Sequence, residues 1–195
     1  MDFFSVMNST SQRRLGLLLR QLDIAWALMS HHLMDLSSKE CHWRPAPCGP
    51  HVQLTPAGVW VADWPSHEGY SLGPPSIAWT TWHVMFWWSM TMDHSFGPST
   101  LDRAEVAWPG NAEAACAEIR RLHTMWREKV EGLSENDLTS SERTKWPIEN
   151  RPFADVVAWV NIELTKNAAE IGFARFLYAT TNNGAGQPAD RVGPN

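Results

Sequence analysis

Cysteine is scarce in this 195-residue chain, and charge of either sign is sparse. Three cysteines, Cys41, Cys48 and Cys116, are too few to suggest a disulfide framework. Lysine and arginine number 16 against 21 acidic residues and form no basic stripe, so nucleic-acid binding lacks its electrostatic footprint. The first residues carry no basic segment of the kind that opens a secretory signal. We therefore expect a cytoplasmic protein with no nucleic-acid partner.

Long hydrophobic runs and common catalytic motifs are also missing. The most apolar stretch, residues 77–92, contains His83 and is too short to cross a membrane, so no membrane partner is expected. A glycine-rich phosphate loop, a G-x-S-x-G element and an H-E-x-x-H element are all absent. The chain therefore lacks the motifs of P-loop nucleotide hydrolases, serine hydrolases and zinc proteases.

Tryptophan, by contrast, is abundant, with 12 residues in the chain. Two interpretations are open: the indoles fill an aromatic core, or some of them line a ligand pocket. The pocket interpretation selects aromatic side chains in and just before the apolar stretch, namely Trp60, Trp64, Trp79, Trp82 and Phe86.

Four long stretches show the three- and four-residue spacing of amphipathic helices. They run from about 11 to 37, from 77 through the apolar stretch, from 112 to 131, and from about 152 to 180. Ser76 and Asn111 are suited to cap the second and third of these. The pattern predicts an all-α fold, an antiparallel four-helix bundle that forms a single domain over residues 1–180.

The connection between the first and second helices, residues 38–75, is rich in proline and glycine. Because so long a segment is unusual as a structureless loop in a compact domain, we expect an ordered insertion, and we predict no β-hairpin in the chain. The polar segment 134–150 is predicted to connect the last two helices. Residues 181–195 are predicted to form a flexible C-terminal tail.

The apolar second helix carries one imidazole together with its aromatic side chains. Trp79, Trp82, His83 and Phe86 recur at spacings of three and four, so they share one side of the helix. An imidazole directed into a packed core costs free energy unless a partner satisfies it. His83 therefore points to a site, and the fourth helix is the source from which we expect its partners.

The fourth helix carries Glu163, Asn167 and Glu170 on one stripe at the border of its apolar side. One interpretation is that these side chains and His83 hold a divalent metal. A second is that both glutamates lie on a solvated face, paired with Lys166 and Arg175. A third is that the imidazole simply hydrogen-bonds a carboxylate, with no metal present.

The run Ser76-Ile77-Ala78-Trp79 with His83, and the run from Glu163 through Asn167-Ala168-Ala169-Glu170-Ile171-Gly172 to Arg175, resemble the DinB-like superfamily. This superfamily includes the YfiT-type metalloenzymes and the bacillithiol- and mycothiol-dependent transferases. The resemblance implies a four-helix bundle with a long crossover after the first helix, and a homodimer. It also implies one divalent metal (Zn, Ni, Mn or Fe), held by one histidine of the second helix and two of the fourth.

His83 matches the first of these ligands, whereas Glu163 and Asn167 stand where the other two are expected. A carboxylate at 163 remains a competent ligand, but the neutral amide of Asn167 is a poor one for these ions, and Glu170 lies one turn further on. Two functions stay open. The resemblance implies a metal-dependent transferase or hydrolase acting on a small molecule such as a low-molecular-weight thiol. The altered ligand set favours a metal-free, non-catalytic descendant that binds a small molecule or dimerises.

Overall fold

The computed structural model describes residues 3–67 and 69–182 of the chain. This part of the chain is mostly helical, in agreement with the predicted all-α class at this level, and it contains one small sheet. The elements, in chain order, are α1 (Phe3–Leu33), α2 (Ser38–His42), β1 (Val52–Leu54), β2 (Trp60–Ala62), α3 (Ile77–Phe96), α4 (Ala112–Glu131), α5 (Glu135–Thr139) and α6 (Phe153–Asn182). None of the described helices is both long and apolar enough to cross a membrane.

The four long helices contact one another in a closed ring. Helix α1 packs against α6 and α4, and α3 packs against the same two helices. Their apolar sides meet in one core, whose largest fully buried side chains include Trp87, Trp88, Trp126 and Phe153. Large aromatic groups bury much apolar area per residue, so tryptophan and phenylalanine contribute strongly to this core beside its leucine, valine and isoleucine side chains. The aromatic-core interpretation therefore accounts for many of the indoles.

Helix α3 is surrounded by protein on most sides. Ser76 caps its start by accepting the backbone N–H of Trp79 at 3.2 Å, and most of the residues that follow are buried. Such a helix needs few polar positions, because little of its surface reaches water. This burial explains why α3 has so continuous an apolar sequence without being a membrane span.

Helix α1 ends earlier than the expected boundary near residue 37. It ends at Leu33, Asp35 adopts a positive φ of 53°, and Ser37 caps a separate helix, α2. In this capping box the Ser37 side chain and Glu40 satisfy each other's backbone N–H groups. A left-handed residue followed by a strong N-cap breaks the helix, although the apolar spacing continues up to this point.

The prediction that the chain contains no β-hairpin was wrong. Strands β1 and β2 pair in antiparallel register, with Val52 opposite Ala62 and Leu54 opposite Trp60. Gly58 in the connecting turn has a φ of 80°, a conformation that glycine adopts without steric cost. Each strand is only three residues long, too short to show a clear two-residue alternation in the sequence.

Two further predictions concern the polar connection between α4 and α6 and the flexible tail at the end of the chain. The polar segment contains the short helix α5, which Ser134 caps by accepting the backbone N–H of Asp137. Helix α6 continues to Asn182, two residues past the expected end. The rest of the predicted flexible tail, residues 183–195, lies outside the described residues.

Gly172 lets α6 approach α1 closely. A Cβ atom at this position would lie 2.5 Å from the imidazole of His32, a distance that side chains do not tolerate. Arg175, one turn further along α6, donates to the carbonyl oxygens of His32 at 3.0 Å and Met34 at 2.8 Å, and pairs with Glu40 at 2.9 Å. The end of α1 and the start of α2 are therefore held against α6 by close packing and by one guanidinium.

His123 of α4 is a buried titratable group in the core. Its ring stacks on Trp26 with centroids 3.9 Å apart and only 9% of the residue exposed. Burial and, to a smaller extent, the charge of Arg127 lower the pKa of His123 to about 4, against the opposing effect of Asp23. The native protein therefore holds this imidazole neutral at pH values where an unfolded chain would already protonate it.

We predict that His123→Phe flattens the pH dependence of stability. Between about pH 6.5 and 4 the unfolded state binds a proton at this histidine and the native state does not, so the free energy of unfolding falls as pH falls, by about 1.4 kcal/mol per pH unit. Phenylalanine keeps the stack on Trp26 but cannot titrate. Urea unfolding across this pH range should show the slope reduced by about one proton, and an unchanged slope would contradict the assignment.

Candidate functional site

Helices α3 and α6 bring the candidate site residues together. Successive turns of α3 carry Trp79, His83 and Trp87, and the facing part of α6 carries Asn167 and Glu170. Residues four apart lie one above the other on a helix, so each helix contributes a column of side chains to the contact. The geometry of the site follows from how these two columns meet.

A cavity of about 860 Å³ lies where residues 64–67 and 69–75 pass over α3 and α6. Its polar wall consists of His83, Lys166, Asn167 and Glu170. The overlying segment adds two further polar side chains, Ser66 and His67. The rest of the lining is mostly apolar, with prolines and four aromatic side chains: Trp64, Tyr70, Trp79 and Phe173. A volume of this size and a mostly apolar lining with a few polar groups are usual for small-molecule sites. We refer to it as the α3–α6 cavity.

A second cavity, of about 560 Å³, lies between α3 and α4 and is a weaker candidate. Its charged lining consists of Glu105, Glu118 and Arg121. Glu118 and Arg121 form an ion pair at 2.6 Å one turn apart on α4, which leaves little unsatisfied polar chemistry there. The α3–α6 cavity, which contains His83, is therefore the candidate site.

His83 borders the α3–α6 cavity as a neutral imidazole. Its ring stacks on Trp79, with centroids 5.0 Å apart and planes 8° apart, and its Nδ1 atom is buried with no hydrogen-bond partner among the described residues. Burial and, to a smaller extent, the charge of Lys166 lower the pKa of His83 to about 4, against the opposing effect of its contact with the Asn167 amide. At neutral pH this side chain can accept or donate a hydrogen bond but carries no positive charge.

Asn167 is fully buried and hydrogen-bonded at both ends of its amide. Its Oδ1 accepts the indole Nε1–H of Trp87 at 3.0 Å, and its Nδ2 donates to Oε2 of Glu170 at 2.8 Å. A buried amide that lacked these partners would cost free energy. The result is a chain of hydrogen bonds that runs from an indole in the core to a carboxylate at the cavity.

The two glutamates of α6 differ in their partners. Glu163 pairs with Lys166 at 2.6 Å and is not among the residues that line the cavity. Glu170 lines the cavity and receives the Asn167 amide, while Arg175 pairs with Glu40 instead. The local pairing expected for Glu163 is therefore present, and the pairing of Glu170 with Arg175 is not. His83, Asn167 and Glu170 meet at one cavity, and Glu163 lies to its side.

The structure divides the aromatic residues that the sequence assigned to a pocket. Trp64 and Trp79 line the α3–α6 cavity, and Trp79 donates its Nε1–H to the carbonyl of Asp63 at 2.7 Å. The remaining three are not among its lining residues: Trp82 and Phe86 stack on each other at 5.3 Å, and Trp60 packs at 5.6 Å against Trp108.

These side chains are a poor match for a divalent cation. Among the described residues, no three histidine, cysteine or acidic side chains are grouped closely enough to hold a metal ion. The Asn167 oxygen already accepts the indole N–H of Trp87, so it is not free to bind an ion. His83, the occupied amide of Asn167 and the single carboxylate of Glu170 supply fewer free nitrogen, sulfur and carboxylate ligands than the three that a catalytic Zn site takes from the protein.

Sequence reasoning missed three residues that shape the site. Trp87 escaped notice as the partner of Asn167, although it lies four residues after His83 and so projects from the same side of α3. Tyr70 and Phe173 line the cavity with exposed rings. Phe173 lies three residues beyond Glu170 on α6, a spacing that could have revealed it, whereas no sequence signal identifies Tyr70.

We predict that Trp87 and Asn167 are energetically coupled. Asn167→Ala removes two hydrogen bonds and leaves a small void, so it should cost about 2–4 kcal/mol of stability. Once the indole donor is gone in Trp87→Phe, the loss of the amide matters less. The double variant should therefore fall short of the sum of the single effects by about 1 kcal/mol in urea unfolding.

Trp88→Phe is the matched control for this cycle. Trp88 is as deeply buried as Trp87, but its Nε1 has no hydrogen-bond partner among the described residues. Its substitution should therefore add to Asn167→Ala without coupling. Equal coupling energies for the two tryptophans would show that packing, and not the hydrogen bond, connects Trp87 to Asn167.

Comparison with known proteins identifies the family of the chain. The family model of the DinB superfamily matches residues 21–171, most of the chain, and this span includes α3 and the part of α6 that carries Asn167 and Glu170. No curated protein and no solved structure matches the chain. A family match over this share of the sequence confirms the resemblance carried by the residues around His83 and Asn167, and the chain belongs to the DinB superfamily.

Proposed function

We propose that this protein is a metal-independent DinB superfamily member that binds a small organic molecule in the α3–α6 cavity. The proposal rests on the burial and the hydrogen bonds of the Asn167 amide. Asn167 stands at the position of an expected metal ligand, but its side chain is fully buried. Its oxygen accepts a hydrogen bond from Trp87, and its nitrogen donates one to Glu170. The cavity beside it has the size and lining of a small-molecule site.

The exposed aromatic rim supports an organic ligand. Tyr70 is completely exposed, Phe173 is 61% exposed, and Trp64 is 52% exposed, and all three border the cavity. Apolar rings left in water around a concavity gain free energy when a ligand covers them, at about 25 cal/mol per Å² of apolar surface buried. An organic molecule with an apolar body would use this surface.

One observation favours the second candidate, a metal-dependent transferase or hydrolase acting on a low-molecular-weight thiol or another small molecule. The buried Nδ1 of His83 lacks a hydrogen-bond partner among the described residues, and an unsatisfied imidazole nitrogen is a potential ligand atom. The metal and the ligands Glu163, Asn167 and Glu170 stay a prediction from the resemblance. We rank this function second because the Asn167 oxygen is already engaged by the Trp87 indole.

Metal content separates the two candidates. We expect purified protein, soaked with Zn, Ni or Mn and freed of excess ion, to retain far less than one ion per chain. The His83→Ala variant is the control and should retain the same trace amount. Stoichiometric metal in the wild type that disappears in His83→Ala would contradict the proposal and establish the second candidate. Equal uptake by both proteins would place the ion elsewhere on the chain.

We also propose that the four long helices form the antiparallel bundle, with a long crossover after α1, that the sequence predicts. The closed ring of contacts among α1, α3, α4 and α6 supports this arrangement. The three cysteines are free thiols, which suits a reducing compartment and supports a cytoplasmic location.

The homodimer stays a prediction from the resemblance. Exposed apolar side chains on the adjacent helices α1 and α6 give it a surface: Leu17, Ile24, Leu28, Ile162 and Phe176. Clustered exposed apolar groups on a soluble protein often mark an interface. Light scattering on the purified protein should give the mass of two chains, and the mass of one chain would rule the dimer out.

A further inference from the structure

The charges on the inner wall of the α3–α6 cavity do not balance. Lys166 and Glu163 neutralise each other in an ion pair at 2.6 Å. Glu170 has the neutral amide of Asn167 as its hydrogen-bond partner at 2.8 Å, and it forms no ion pair among the described residues. His83 is uncharged at neutral pH. The described wall therefore presents one carboxylate whose charge no neighbouring cation offsets.

The hydrogen-bond chain behind Glu170 holds this carboxylate in place. Trp87 anchors the Asn167 oxygen, and the Asn167 nitrogen in turn holds Oε2 of Glu170. A carboxylate has two oxygens and about four acceptor positions, so one amide donor leaves most of its capacity free. A pre-positioned carboxylate at the edge of an apolar cavity is suited to accept a charge-assisted hydrogen bond from a ligand.

The aromatic walls are suited to the same kind of ligand. The faces of tryptophan, tyrosine and phenylalanine rings attract cations. Trp64 already shows this property, because the guanidinium carbon of Arg103 lies 4.3 Å from its ring centroid. Trp64, Tyr70 and Phe173 surround the cavity as exposed rings, with Glu170 in the wall between α3 and α6.

We propose that the α3–α6 cavity selects an organic cation, a primary ammonium that donates to Glu170 and is attached to an apolar, aromatic body held by Trp64, Tyr70 and Phe173. This inference rests on the proposed function, since it names the class of small molecule that the cavity takes. It assigns Glu170 as the residue that sets specificity and Asn167 as the positioning residue behind it.

Three probes of equal ring size and different charge test the preference. They are 2-phenylethylamine, 2-phenylethanol and 3-phenylpropionate, titrated at neutral pH while ligand binding is followed by nuclear magnetic resonance. We expect the amine to bind about tenfold more tightly than the alcohol, because both can donate a hydrogen bond to the Glu170 carboxylate but only the ammonium adds the attraction of opposite charges. The acid, repelled by Glu170, should bind most weakly.

Glu170→Gln isolates the charge. Glutamine keeps an oxygen that can accept the Asn167 N–H, so the wall retains its shape while the negative charge is lost. The variant should weaken the amine much more than the alcohol and bring the two affinities close together. Glu149→Gln, the same change at an exposed residue of the α5–α6 connection, is the matched control and should bind like the wild type.

Phe173→Ala locates the binding. This exposed ring contributes to the cavity rim, so its removal should weaken the amine and the alcohol alike without unfolding the protein. The inference would be overturned if the wild type bound the amine and the alcohol equally, preferred the acid, or bound none of the probes. It would also be overturned if the preference for the amine survived Glu170→Gln, or if Phe173→Ala left binding unchanged.

The failure of this inference is distinguishable from failure of the proposed function. If the amine and the alcohol bind equally and both are weakened by Phe173→Ala, the cation preference is wrong while the cavity still binds small molecules. If the wild type instead holds stoichiometric metal that depends on His83, the proposed function fails, whatever the amine does.

Discussion

The hydrogen bond from the Trp87 indole to the Asn167 amide is the interaction on which the candidate site depends. It joins the facing columns of α3 and α6 inside an apolar core, where an unpaired polar group would cost free energy. Because the amide is satisfied at both ends, it also fixes the carboxylate of Glu170 at the cavity. One buried amide thus contributes to the cohesion of the core and to the chemistry of the site.

Aromatic side chains connect the long segment after α2 to this core. The Trp79 indole of α3 donates to the carbonyl of Asp63, and the imidazole of His51 lies 2.7 Å from the hydroxyl of Ser76, the residue that caps α3. The small sheet is anchored through Trp60, whose carbonyl accepts the backbone N–H of Trp108 at 3.1 Å. The segment over the cavity therefore begins and ends at anchored points, which gives the cavity a defined wall instead of an open cleft.

The long helices could be read from the sequence because each has an apolar side at the helical period and a clear capping residue. Asn111 and Ser76 cap α4 and α3 as expected. The boundary after α1 could not be read, since the apolar spacing continues into the turn and only the backbone of Asp35 shows the break. The hairpin was missed because three-residue strands bury too little to leave a periodic signal.

The candidate site was predictable in part for a similar reason. His83, Asn167 and Glu170 were identified by their spacing, and they do face one cavity. The partners of Asn167 were not predictable, because its contact with Trp87 joins two residues 80 positions apart and spacing along one helix carries no information about such a contact. The roles of Tyr70 and Phe173 depend likewise on how residues 64–67 and 69–75 cross the helices.

The central claim is that the Asn167 amide hydrogen-bonds Trp87 and Glu170 and does not bind a metal ion. Anomalous diffraction from a zinc-soaked crystal, recorded on both sides of the zinc absorption edge, tests it most directly. The account predicts no anomalous peak at His83 and an Asn167 amide still hydrogen-bonded to the Trp87 indole. A peak at about 2.0–2.2 Å from a nitrogen of His83, with the Asn167 amide turned away from Trp87 toward the ion, would contradict it.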